Sequence, residues 1–229
     1  MPTLHLIPSP IAEPFNLPND IADLRYFVVE NLREARRFLK WNFRELNIDV
    51  CSFLEINKND LDKGAIQPFL QKAFNAKADV GLLSDAGVPC VADPGSLVAE
   101  RAHNIGFRVK PLVGPSSLLL ALMASGFNGQ SFAFHGYLPI KDQDQIRMLK
   151  GLEQESGQRD MTQMFIETPY RNNKLLERLI EHLHPNTRLC VACDLQSDKE
   201  EIVSKPVRDW KNEKRDFHKR PAVFLVYAR

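Results

Sequence analysis

Apolar and polar positions alternate along this chain in two rhythms. Short apolar runs end in turn residues, and longer stretches carry apolar residues three and four apart. Leu4-His5-Leu6-Ile7, closed by Pro8 and Pro10, reads as a first strand opening into a loop. Tyr26-Phe27-Val28-Val29-Glu30, aromatic and β-branched, reads as a second. Over 32–46, Ala35, Phe38, Leu39, Phe43 and Leu46 recur at helical spacing and predict an amphipathic helix. A third strand follows at 51–56 and a helix at 60–74, with Asp60 as its N-cap. Val80-Gly81-Leu82-Leu83 is a fourth strand, and 96–104 a helix stopped by Gly106. A fifth strand over 107–113 leads into an apolar helix over 116–125, with Gly126 as its C′ residue. Strands alternating with helices in this way predict βαβ units and a largely parallel sheet.

The second half keeps the alternation at first. A strand at 132–135, a polar helix at 143–155, a strand at 163–166 and a helix at 173–182 are followed by strands at 189–193, 201–204 and 222–227. With little helix between the last three, hairpins and a mixed sheet are expected. The fold class is therefore α/β, with a mostly parallel N-terminal sheet in residues 1–114 and a mixed C-terminal sheet in residues 115–229. No low-complexity linker divides the halves, and no internal repeat is visible.

Composition narrows the function classes. The 229 residues are 44% hydrophobic and 26% charged, with a net charge of +1, so no global field points to nucleic acid or membrane. No apolar run approaches the roughly 20 residues that span a bilayer. Met1-Pro2-Thr3-Leu4-His5 lacks the basic start and apolar core of a signal peptide, which makes cytoplasmic residence the expectation. Of the four cysteines, Cys190 and Cys193 form a Cys-x-x-Cys pair. It lies in an apolar strand, where residues three apart face opposite ways, so redox or zinc chemistry is not expected of it and no metal site is assigned.

The chemistry concentrates in two loops that follow apolar strands. One reads Ser84-Asp85-Ala86-Gly87-Val88-Pro89 and continues to Asp93-Pro94-Gly95; the other reads Gly114-Pro115-Ser116-Ser117. Singly, each is ordinary turn vocabulary. Together, at consecutive strand ends of an open α/β sheet, they mark the place where ligands bind. Glycine and proline let backbone approach a ligand closely. Ser116 and Ser117 offer hydroxyls at a helix start, and Asp85 and Asp93 offer carboxylates to ribose hydroxyls or an amine. Neither loop matches a dinucleotide fingerprint or a P-loop.

These motifs resemble the tetrapyrrole methylase superfamily of S-adenosylmethionine-dependent methyltransferases (class III, two α/β domains), and within it the enzymes that 2′-O-methylate a ribose, in cytidine, of small-subunit ribosomal RNA. Ile7-Pro8-Ser9-Pro10-Ile11 is similar to their Val-Pro-Thr-Pro-Ile loop. Ser84 to Pro89 with Ala92-Asp93-Pro94-Gly95 is similar to Ser-Asp-Ala-Gly-Thr-Pro and Ser-Asp-Pro-Gly. Pro111-Leu112-Val113-Gly114-Pro115-Ser116-Ser117 is similar to Pro-Leu-Pro-Gly-Pro-Ser/Cys, and Phe165-Ile166-Glu167-Thr168-Pro169-Tyr170-Arg171 to Tyr-Glu-Ser-Pro-His-Arg. The resemblance implies S-adenosylmethionine in a cleft between the domains. Its contacts would come from Pro10, Asp85, Ala86, Gly87, Val88, Ser116, Ser117, Glu167, Leu195, Pro221 and Ala222. It also implies a homodimer.

The departures fall on the substrate side. Where the RNA enzymes continue Gly-Asn after the first loop, this chain has Ala12-Glu13-Pro14. Their Glu-Asp-Thr-Arg is Glu30-Asn31-Leu32-Arg33, and their His-x-x-Asn-Glu becomes Glu55-Ile56-Asn57-Lys58-Asn59 without the histidine. The C-terminal extension of many RNA-modifying relatives is also not seen. A ribose hydroxyl is a poor nucleophile, so a base is sought, and Glu30, Glu167 and Asp85 are the candidates. Glu30 has the alternative of capping the next helix. Arg33 and Arg171 would hold phosphates or form ion pairs. Two segments are locally basic: the helix with Arg33, Arg36, Arg37, Lys40 and Arg44 against Glu34 and Glu45, and the stretch 205–220, with seven basic and three acidic residues. In the second, Lys214 and Arg215 stand among the aromatics Trp210 and Phe217, a mixture suited to single-stranded RNA or to a plain solvated loop. His218 is expected to be part of that polar loop. Three functions stay open at this point: an RNA ribose methyltransferase acting on the small ribosomal subunit, a methyltransferase of a tetrapyrrole or other small molecule, and a non-catalytic S-adenosylmethionine-binding protein.

Overall fold

The computed structural model describes residues 1–12, 16–17, 21–56 and 64–229. The chain forms two compact units, Met1–Ser116 and Ser117–Arg229. In the first, β1 (Thr3–Ile7), β2 (Tyr26–Val29), β3 (Ser52–Glu55), β4 (Val80–Leu83) and β5 (Arg108–Pro111) make a sheet of order β3-β2-β4-β1-β5. Every pairing in it is parallel, with Leu4 opposite Val80 and Val109. β4 is buried along its whole length, as expected of a central parallel strand that reads as an unbroken apolar run.

The helices cover both faces. α1 (Leu32–Asn42), with Leu17, Ile21 and Leu24, packs on the face that presents Ile7, Phe27 and Val29. α2 (Ile66–Asn75) and α3 (Gly95–Ile105) pack on the face that presents Leu4, Val28 and Leu82. Pro68 is tolerated in α2 because it lies in the first turn, where an amide has no intrahelical acceptor. β1 hands on to β2 two places away in one direction, and β4 to β5 two places away in the other. The two connections leave by opposite faces, so the carboxyl ends of β1 and β4 form the switch point of the sheet.

The second unit is mixed. β6 (Phe132–Tyr137), β7 (Thr162–Ile166), β8 (Arg188–Cys193), β9 (Glu201–Pro206) and β10 (Ala222–Tyr227) lie in the order β6-β7-β10-β8-β9. β6 and β7 are parallel, whereas β10 runs antiparallel to both neighbours and β8–β9 is antiparallel. α5 (Asp142–Arg159), α6 (Asn172–His182) and the short α7 (Val207–Trp210) build the core on one face with Phe165 and Phe224; α4 (Ser117–Ser125) covers the other face, over Met164, Cys190 and Leu225. Among the described residues, no helix is long and apolar enough to cross a membrane.

The predicted elements differ from the observed ones in a few places. The helix expected over 32–46 ends at Asn42, because Phe43 leaves helical geometry (φ −127°) and its amide closes the last turn on Leu39. Leu46 is still buried, so its apolar spacing reports packing and not helix. Asp60 lies outside the described residues. α7 was not expected: it is four residues long, below what periodicity resolves. The loop after β5 approaches the loop after β1 closely, and a Cβ on Gly114 would fall 2.2 Å from Cβ of Pro8. The proline ring cannot yield by changing rotamer. Gly114→Ala is expected to destabilise the first unit by about 1–3 kcal/mol, read as a lower urea midpoint.

Candidate functional site

The ends of β1 and β4 are tied by backbone. The Ser9 amide donates to the Gly87 carbonyl at 2.9 Å, and the Gly87 amide to the Ser9 carbonyl at 3.0 Å. Two buried hydroxyls add to this: Ser9 Oγ donates to the Ser84 carbonyl (2.6 Å) and Ser84 Oγ to that of Gly87 (2.8 Å). Gly87 adopts φ +76°, and a Cβ there would lie 3.3 Å from the Pro115 carbonyl oxygen. The position thus needs glycine for its conformation and leaves little room beside the second loop. Pro10, the segment 85–88 and Pro115 are therefore neighbours. Asp93 holds the turn into α3, since its Oδ1 accepts from the amides of Cys90 (2.8 Å) and Gly95 (2.7 Å).

Three adjacent strands, β3, β2 and β4, end in carboxylates Glu55, Glu30 and Asp85. Glu30 Oε2 accepts from the Asp85 amide at 2.8 Å. The cap of α1 is instead Asn31, whose Oδ1 accepts from the amides of Arg33 (3.0 Å) and Glu34 (3.2 Å). The capping alternative for Glu30 is thereby withdrawn. Asparagine and aspartate cap almost equally well, so the departure at Asn31 keeps the local geometry. Partial burial, and then the charges of Glu30, Glu34 and Glu55, push the Asp85 carboxyl above its ordinary value. Leu32 packs partly buried beside the α1 core, Ile56 is buried, Arg33 is exposed, and Asn57, Lys58, Asn59, Glu13 and Pro14 lie outside the described residues.

In the second unit the chain brings Glu167, Leu195, Pro221 and Ala222 to one end of the sheet. Ile166 pairs with Val223 and Cys193 with Ala222, and the Asp194 amide donates to the Pro221 carbonyl at 2.9 Å. Glu167 is buried, and its Oε1 accepts from the Thr168 amide (2.7 Å) and from Arg171 Nε (3.0 Å) and Nη2 (2.5 Å). Of the two readings of Arg171, the ion pair is the one seen, and the pair fixes the turn between β7 and α6. A cavity of about 60 Å³ adjoins it, lined also by Ile140, Lys174 and Arg178. Ser116 and Ser117 are half-buried at the start of α4, one in each unit.

The stretch 205–220 differs from its expected form. Trp210 (1% exposed) and Phe217 (0%) belong to the core and present no ring to a base. Arg215 pairs with Glu201 (2.5 Å) and Glu213 (2.8 Å), Arg220 with Asp194 (2.6 Å) and Glu201 (2.8 Å), and Lys205 with Glu213. Local charge counting missed the pairs with Asp194 and Glu201, which come from the β8–β9 turn and from β9 outside the stretch, whereas Glu213 lies within it. Lys214 remains exposed. The exposed aromatic on this side is Tyr170, with Lys219 Nζ 5.8 Å from its ring centroid and His218 edge-on to it. Cys190 and Cys193 fall in the cores on opposite faces of β8, and burial pushes both thiols up to about 12. No group of three or more His, Cys, Asp or Glu able to hold a metal ion occurs among the described residues.

A groove of about 450 Å³ opens beside Asp85 in the first unit, walled by Ser9, Pro10 and Ser84 on the loops and by Arg37, Phe38 and Trp41 on α1. Trp41 is 50% exposed. Its sequence signal is an aromatic residue out of phase with the apolar stripe of its helix, which the search for in-phase apolar positions passes over.

The architecture is thus two α/β units, the first with backbone-lined loops at its switch point. The solved structure of the methyltransferase CobJ has the same fold, with a TM-score of 0.62 over 99% of this chain and 98% of that one, at 16% identity. Residues 29–210 match the family described as Tetrapyrrole (Corrin/Porphyrin) Methylases, and the chain belongs to that family. Methyl transfer from S-adenosylmethionine is its activity. Curated relatives named Ribosomal RNA small subunit methyltransferase I include those of Pseudomonas aeruginosa (32% identical over 91% of this chain and 72% of the relative) and Vibrio cholerae (29%, 99% and 77%). That of Bacillus subtilis is 28% identical over 93% of this chain and 71% of the relative.

The electrostatics of Asp85 give a sign that can be measured. Its carboxyl is raised in the folded state, so the ionised form disfavours folding above that raised value, and the effect disappears once both states are protonated. Asp85→Asn is expected to increase stability at pH 7, with the gain shrinking as pH falls through the ordinary aspartate range. A gain that persists unchanged at pH 3 contradicts this origin.

Proposed function

We propose that this methyltransferase modifies ribosomal RNA of the small subunit, transferring the methyl group in line to a ribose 2′-hydroxyl. The observation that carries the reading is the match to relatives named for that RNA, which runs across nearly the whole chain and both units. The likeness to CobJ, at 16% identity, bears on fold alone.

The residues fit S-adenosylmethionine. The cradle at Gly87, which a Cβ would crowd, and the carboxylates around Asp85 suit a cationic ligand held mostly by backbone. We assign it to Pro10, Asp85, Ala86, Gly87, Val88 and Ser116 in the first unit, and to Ser117, Glu167, Leu195, Pro221 and Ala222 in the second. The cofactor supplies an electrophilic methyl on sulfonium, a leaving group that needs no protonation. The protein has to align the hydroxyl and exclude water. Glu30, whose one observed partner is the Asp85 amide, is the better candidate for the base that takes the hydroxyl proton, since Glu167 is buried and neutralised by its ion pair with Arg171. Arg33 and Lys214 are left as exposed cations for phosphate, while Arg171 and Arg215 are committed to carboxylates.

We also propose a homodimer with cytoplasmic residence. Support for the dimer comes from α4, where Leu119 and Met123, one turn apart, are exposed (52% and 77%). Leu119→Asp with Met123→Asp is expected to convert a dimer into a monomer in light scattering; a wild-type monomer overturns it.

Calorimetric titration tests the assignment of the cofactor. Micromolar S-adenosylmethionine affinity is expected, abolished by Gly87→Trp and weakened by Asp85→Ala, with circular dichroism confirming folded variants. Radiolabelled methyl transfer to small ribosomal subunits is then expected at a ribose, and transfer only to a tetrapyrrole overturns the substrate.

A further inference from the structure

On its α1 side the groove has residues that the cofactor assignment leaves unused. Trp41 and Phe38 offer aromatic surface, and Arg37 lies one turn before Trp41 on the helix. Arg33, Arg37 and Lys40 follow one another at spacings of four and three, so they form one basic stripe along α1, and Arg44, beyond the end of the helix, lines a shallow depression with Arg37 and Lys40. Lys40 is partly drawn to the carbonyls at the helix end, including that of Leu46 at 3.2 Å, and Arg37 pairs with Glu34 at 3.5 Å; Arg33 and Arg44 are exposed. On the groove wall stand Glu34 and Asp85. Carboxylates repel a phosphate but accept hydrogen bonds from the N–H groups of a base or the hydroxyls of a ribose. The charges therefore sort the parts of a nucleotide: the phosphates onto the stripe, the base and sugar into the groove.

We propose that this groove takes one unstacked nucleotide of a single-stranded RNA segment, its base stacked on Trp41 and its flanking phosphates on the basic stripe of α1. The proposal rests on the reading that the substrate is RNA. About 450 Å³ suits a single nucleoside, within the usual range of small-ligand sites. Aromatic stacking is tolerant of base identity and is the usual means of holding unpaired nucleotides. The groove shares Ser9, Pro10 and Asp85 with the clasped loops, which places the bound nucleotide beside the loops assigned to the cofactor.

The chain contains two tryptophans, and Trp210 is buried with its indole N–H donated to the Leu189 carbonyl at 3.3 Å. Quenching of fluorescence by added RNA therefore reports on Trp41. Full-length protein titrated with a mixed-sequence single-stranded RNA of roughly twelve nucleotides is expected to show saturable quenching. Trp41→Ala is expected to weaken RNA binding roughly 5- to 100-fold, with unchanged melting temperature and S-adenosylmethionine affinity, while Trp41→Phe restores most of the binding. If RNA binds without quenching, or binds Trp41→Ala as tightly as wild type, the groove is not the nucleotide site and the RNA reading survives. If S-adenosylmethionine alone quenches Trp41 and Trp41→Ala loses it, the groove belongs to the cofactor and the proposal is overturned. If wild type binds neither the oligonucleotide nor small ribosomal subunits, the RNA reading falls and the groove assignment with it.

Discussion

The reciprocal backbone bond between Ser9 and Gly87 is the constraint on which the first unit's chemistry depends. β1 and β4 are adjacent at the centre of the sheet, and their connections depart by opposite faces. Left to themselves, two such loops would splay apart. The clasp, backed by the buried hydroxyls of Ser9 and Ser84, turns the opening into a fixed backbone surface. Gly87 reaches that position only at positive φ, and Pro8 reaches its own only because residue 114 has no side chain. A ligand held by such a surface sees mainly amides and carbonyls. The cofactor proposed for these loops would accordingly be held with few diagnostic side chains.

The charges at the strand ends follow a different logic. Glu30, Glu55 and Asp85 close three neighbouring strands, and the repulsion among them is left uncancelled at Asp85. In the second unit the acids are matched: Glu167 by Arg171, Asp194 and Glu201 by Arg220 and Arg215. Among the described residues, the strand ends of the first unit are thus anionic, while those of the second are ion-paired. An unmatched carboxylate group is where a cationic ligand or a hydroxyl proton is best received, and it is kept at the expense of stability.

Much of this was legible in the chain. Buried strands announce themselves by composition, and Val80–Leu83 and Ala222–Tyr227 were bounded to the residue, with Asp79 and Ser84-Asp85 flanking the first and Pro221 preceding the second. The opposed faces of Cys190 and Cys193 followed from the two-residue period of a strand. What failed was inference from local density of charge and aromaticity. Trp210 and Phe217 sit among cations in sequence yet in the core in space, and Arg215 and Arg220 beside them are paired with Glu201 and Asp194 from outside the stretch. Pairing across a sheet is invisible to a window along the chain. The cap of α1 falls on Asn31 and not on the Glu30 beside it, a shift of one residue within the ordinary blur of helix ends. Trp41 is silent in the apolar periodicity because a residue that faces a groove is out of phase with the stripe that faces the core.

The order of strands has a consequence for how the protein is made. β1 leaves the ribosome first but lies between β4 and β5, pairing Leu4 with Val80 and with Val109. β4 and β5 must be synthesised before β1 has its partners. β2 and β3 can associate early, and the centre of the sheet closes late, at a high loop-closure entropy. The clasp joins Ser9 to Gly87 across most of the unit's length, so it cannot form until β4 has been made, and the shape of the first loop depends on chain that follows it by several elements.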